Sequence, residues 1–131
     1  MPGETSGNRL EERPEATLAC FVLDRKKISN GQANHRVFLP PPDRELSTFN
    51  IDDLGADSIW AIAETVRSEQ GKEKVFGRAD IRAESVYEIG LTPIRDDKPL
   101  RHVIIVGWPE DKGDQIHRAQ ELAARARFQA R

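Results

Sequence analysis

The chain has one cysteine, one methionine, one tyrosine and no long apolar run. With Cys20 alone, no internal disulfide can form and no cysteine-built metal cage exists, and its apolar setting predicts a buried structural thiol. No stretch approaches the roughly 18 apolar residues that a membrane span needs, so a membrane role is not expected. Residues 1–14 lack both the basic start and the apolar core of a signal peptide, which makes the cytoplasm the expected compartment. There is no glycine-rich phosphate loop and no dinucleotide fingerprint. His35, His102 and His117 lie far apart without metal-ligand spacing, so neither a metal nor a cofactor is expected. Ser47, Ser58 and Ser85 have no nucleophile-elbow context.

Charge of one sign is also missing: 20 Lys and Arg face 22 Asp and Glu, a formal net charge of −2. That balance counts against a nucleic-acid binder, although residues 112–131 are locally basic. At 131 residues, with 37% hydrophobic content, the chain is long enough for one core without staples.

What is present reads as an α+β domain. Residues 1–17 offer almost nothing to bury and are expected to be a loosely attached tail, with the domain occupying 18–131. Residues 18–23 form a strand by composition, and a polar loop follows over 24–36. Val37, Phe38 and Leu39 make a short extended piece that stops at Pro40-Pro41-Pro42. Residues 47–51 alternate, with Phe49 and Ile51 on one side and Thr48 and Asn50 on the other. Ile59, Ile62, Ala63 and Val66 mark a helix over 56–69, with Gly71 as its stop. A short strand over 75–81, a short helix over 82–89 and an acidic turn at Asp96-Asp97-Lys98-Pro99 lead to the unbroken run Val103-Ile104-Ile105-Val106. That run is expected to be the central strand, buried on both faces. A last helix is expected over 112–127. The order implies a small mixed sheet with two longer helices and one short one. The expected core is Phe21, Leu23, Phe49, Ile59, Ile62, Val66, Ile81, Val86, Ile89, Val103, Ile105 and Leu122, joined by Ile104 and Val106 if both faces are covered.

The segments Phe38-Leu39-Pro40-Pro41-Pro42-Asp43, Gly77-Arg78-Ala79-Asp80-Ile81, Arg101-His102 and Gly107-Trp108-Pro109 together resemble a family of small bacterial proteins. The resemblance implies a shared fold; it brings no activity and transfers no catalytic residue.

Four places carry candidate chemistry. Arg78 and Asp80, two apart on a strand, point the same way and can hold a polar ligand jointly; they can equally form an edge ion pair, or Asp80 can cap the following helix. His102 is a candidate general acid or base, with Arg78 or Arg101 holding a phosphate or carboxylate. Its plainer reading is a strand-end histidine bonded to backbone, with Arg101 paired to Asp96 or Asp97. Trp108 offers a flat ring for stacking, or else plugs the core. Lys26 and Lys27 can grip phosphates or simply be solvated.

The expected function is a non-enzymatic, protein-binding accessory or regulatory module of a bacterial multi-protein system, anchored by Trp60, Trp108 and the proline rim. The alternative is a small enzyme or sensor of a phosphate-bearing or nucleotide-like anion, which requires Arg78, Asp80, Arg101 and His102 to converge in one pocket. Weak nucleic-acid binding through Lys26, Lys27 and the basic last helix is the third reading.

Overall fold

The computed structural model describes residues 10–131. Its strands are β1 (Leu10–Glu11), β2 (Thr17–Val22), β3 (Ile28–Ser29), β4 (Gln32–Ala33), β5 (Leu46–Asn50), β6 (Gly77–Arg82), β7 (Thr92–Arg95), β8 (His102–Val106) and β9 (Arg127–Ala130). Seven of them make one sheet in the order β1-β7-β8-β5-β2-β6-β9, while β3 and β4 form a separate hairpin around Asn30-Gly31. The helices are α1 (Ala56–Glu69), α2 (Ala83–Glu88) and α3 (Lys112–Arg125), so the α+β class and its two longer helices and one shorter helix are present.

The sheet is not mixed, as the element order implied, because every neighbouring pair is antiparallel. The reason lies in two crossovers that are filled in. α1 joins β5 to β6, which run in the same direction, but β2 sits between them and opposes both. α3 likewise joins β8 to β9, with three strands between. The β8 run is therefore an interior strand rather than the central one, a place taken by β5. β9 begins at Arg127, where the last helix was expected to end, and α3 stops two residues earlier, at Arg125.

One sheet face carries the main core. Leu18, Cys20, Val22, Ala79, Ile81, Val103 and Ile105 pack there against Phe38, against Val86 of α2 and against Leu122 of α3. On the other face α1 sets Ile59 against Ala19 and Ile51. That single helix covers its face only partly, so Phe21, Leu23, Ile62, Val66 and Val106 are half-buried rather than core, unlike the remaining members of the expected set. Residues 35–38 are a 3-10 turn, not an extended piece; Asn34 caps it by accepting from the Arg36 amide.

The segment 10–17 is part of the domain, which corrects the expectation of a loose tail from Leu10 onward; residues 1–9 lie outside the described part. β1 pairs with β7, and Glu12 and Ala16 are buried. The carbonyl oxygens of Glu12, Pro14 and Ala16 accept from the Tyr87 hydroxyl and from the amides of Glu84 and Ala83. Backbone bonding, not hydropathy, holds this segment. Among the described residues no helix is long and apolar enough to cross a membrane.

Candidate functional site

His102 opens β8 on the face that α1 only partly covers. The β7–β8 connection is short and heavily bonded: the amides of Asp96 and Asp97 both donate to the His102 carbonyl, and the His102 amide donates to Pro99. This closure sets the Asp96 carboxylate beside the ring, with Oδ1 2.8 Å from Nδ1 and also accepting the Lys98 amide at 3.2 Å. From the other side comes β5. Its register puts Phe49 opposite His102 and Ser47 opposite Ile104, all on one face. The Ser47 hydroxyl lies 3.1 Å from Nε2, and the Phe49 ring meets the imidazole edge-on at 5.3 Å between centroids. With Nδ1–H donated to Asp96, the Nε2 lone pair accepts the Ser47 Oγ–H.

The result is a serine, a histidine and an aspartate in hydrogen-bonded sequence, the relation by which an activated hydroxyl is recognised whatever the chain order. His102 side chain is 14% exposed and Asp96 26%, whereas Ser47 is an exposed residue. The base is shielded and oriented, and the hydroxyl is open.

Ser47 also lines a groove that lies where two strands part. β2 stays paired with β6 from Thr17 to Val22, but with β5 only at Leu18 and Ala19. Beyond Ala19 the Cys20 thiol spans to the Ser47 carbonyl at 3.7 Å. Burial pushes that thiol up to about 12, so it remains protonated and is no nucleophile. The groove encloses about 330 Å³ and is lined by Ser47, by Phe21, Phe49 and Val66, and by the polar groups of Lys27 and Lys72. Asp24 lines it too. Its carboxyl is held below the usual range by the Lys26 amide it accepts and then by the charges of Lys26, Lys27 and Lys72.

The other candidates from the sequence do not join this site. Arg78 and Asp80 do pair, at 3.1 Å, on the same sheet face as His102. They lie three strands away, roughly 14 Å at ordinary strand spacing, with Phe49 and Ala19 between. Their surroundings are structural. The Arg78 guanidinium sits 5.0 Å from the Trp60 ring centre, and Arg131, itself paired to Glu64, sits 5.1 Å from the same ring. This cluster ties α1 to β6 and to the chain end. Burial, outweighing Arg78 and Arg127, raises the Asp80 carboxyl. Asp80 does not cap α2, whose N-cap is Arg82.

Gly77 does permit close approach, but what approaches is β9. A Cβ there would fall 2.6 Å from the Gln129 carbonyl oxygen and from the Phe128 ring. Arg101 reaches back to the carbonyls of Asn50 and Asp52 and borders a different hollow, with Glu12 and Arg95. It pairs with neither Asp96 nor Asp97 side chain through its guanidinium; Asp97 is taken by Arg95. Trp108 is core: it is 6% exposed, and its Nε1–H donates to the Ile105 carbonyl. A ring so placed is not available for stacking. Lys26 and Lys27 form a 3-10 turn after Asp24, and only Lys27 borders the groove.

Sequence reasoning missed Ser47 and gave Asp96 the wrong partner. A hairpin return from Asp96 to His102 was the available signal for the second. Compared with known proteins, the chain matches no family model, no curated protein and no solved structure.

Proposed function

We propose that the protein is a serine-dependent esterase acting on small carboxylic esters. The observation that carries this reading is the hydrogen-bonded chain from Ser47 Oγ to His102 Nε2 at 3.1 Å and from His102 Nδ1 to Asp96 at 2.8 Å, with Ser47 in the lining of a groove. His102 takes the hydroxyl proton as Ser47 Oγ attacks the ester carbonyl, and the C–O bond to the alcohol breaks as that proton passes to the departing oxygen. A water then gives its proton to His102 and attacks the acyl carbon, and Ser47 leaves with the proton restored. Asp96 keeps Nδ1 protonated and stabilises the imidazolium that forms in each half.

The reading of an accessory protein-binding module has less to stand on than the sequence suggested. Trp108 is buried, and the Trp60 ring already meets two arginines. An enzyme built on Arg78, Asp80 and Arg101 around His102 lacks the shared pocket it needs.

The test is hydrolysis of 4-nitrophenyl acetate together with labelling by a small fluorophosphonate. Ser47→Ala and His102→Ala are expected to lower kcat/KM by about 10²–10⁴ while the variants stay folded, and mass spectrometry should find the adduct on Ser47. Turnover by Ser47→Ala equal to that of the wild type, or the absence of any adduct, would overturn the reading.

A further inference from the structure

We infer that the groove beside Ser47 selects an ester that carries a single anionic group on a short apolar arm. The inference rests on the esterase reading for what happens to the ligand, and on the groove alone for what binds. Phe21, Phe49 and Val66 give the groove that Ser47 lines an apolar side. Lys27 and Lys72 give it two ammonium groups, and among the described residues neither is within ion-pair distance of a carboxylate. Asp24 is the carboxylate lining the same groove, so the lining carries a net charge of +1. One excess cation favours one anionic group on the ligand, and a dianion would meet Asp24 as well.

The neighbouring surface strengthens the bias. A second groove shares Leu23, Asp24 and Lys72 with the first and adds Arg25, Lys74 and Glu73. Arg25 and Lys74 lie over the Phe76 ring at 5.9 and 5.2 Å, which holds their charge at this end of the sheet. A volume of about 330 Å³ is at the small end of ligand sites, enough for an arm of several carbons and a terminal carboxylate or singly charged phosphodiester.

Two measurements separate this inference from the activity beneath it. The first compares mono-4-nitrophenyl adipate with 4-nitrophenyl hexanoate, two esters of equal chain length that differ in one terminal charge. The wild type is expected to prefer the adipate ester in kcat/KM, and Lys27→Gln/Lys72→Gln to reduce that preference about tenfold, chiefly through KM, since exposed ion pairs each contribute a few-fold at most. Lys27→Arg/Lys72→Arg should preserve it. The second needs no turnover: methyl phenyl phosphate, a monoanion, is titrated alongside benzoate and benzyl alcohol while backbone NMR signals of Ser47, Phe49 and Lys27 are followed. Saturable shifts with the two anions and none with the alcohol support the inference, and the stronger anion tells phosphate from carboxylate. Equal binding of the alcohol, or anion binding undiminished in the glutamine variant, would overturn it. Anion binding without hydrolysis would sink the esterase reading and keep this one; hydrolysis without anion preference would do the reverse.

Discussion

Replacing Asp96 by asparagine separates the charge of the carboxylate from its position as an acceptor. Asp96 Oδ1 receives two donors, the Lys98 amide at 3.2 Å and His102 Nδ1 at 2.8 Å. In Asp96→Asn the atom facing the Lys98 amide has to be the carbonyl oxygen, since an NH₂ there would set donor against donor. That same oxygen faces Nδ1, so the imidazole keeps its proton on Nδ1 and only the negative charge is lost. A hydrogen bond to a charged group contributes about 1.5–3 kcal/mol against about 0.5–1.5 for a neutral one, a difference of about 1–1.5 kcal/mol. At about 1.4 kcal/mol per decade, kcat/KM for 4-nitrophenyl acetate should fall about tenfold. The contrasting case is a serine protease in which asparagine imposes the wrong tautomer and costs about 10⁴ in kcat. Ester kinetics and ¹⁵N-edited NMR of the imidazole decide between them. A loss near 10⁴ with the proton on Nε2 would refute the argument from Lys98, and an unchanged rate would refute a role for Asp96.

Two further outcomes test the fold around the site. Deleting residues 1–16 removes the acceptors of the Tyr87 hydroxyl and of the Ala83 and Glu84 amides, which at about 1 kcal/mol each amounts to about 3 kcal/mol and a fall of roughly 10 °C in Tm; an unchanged melting curve would show that 10–16 is not integral. Asp80, with its carboxyl raised by burial, holds a proton more tightly in the folded than in the unfolded chain. Its contribution to stability is therefore full below the unfolded value of about 3.9 and is lost as pH rises through the higher folded one. Asp80→Asn has no proton to lose and should gain stability relative to the wild type as pH rises above about 3.9, followed by denaturant unfolding; a relative loss there would mean that pairing with Arg78 outweighs burial.

What the sequence made legible was local. The apolar stripe of Ile59, Ala63 and their neighbours marked α1 at its observed bounds, and Gly90 closed the short helix where it ends, with φ +91. Residues 10–17 escaped because carbonyl oxygens leave no trace in composition. Ser47 escaped for another reason: it meets His102 across 55 positions of sequence, through a strand pairing that no local pattern announces. Yet the alternation that fixes that pairing is present. Leu46 and Thr48 are buried on the core face, and the Thr48 hydroxyl donates to the Val103 carbonyl at 2.9 Å. A slip of one residue would expose both, leave that hydroxyl without its acceptor, and turn Ser47 into the core. The packing of the opposite face is thus what keeps the Ser47 hydroxyl in register with His102. The candidate site inherits its geometry from the core packed on the opposite face of the sheet.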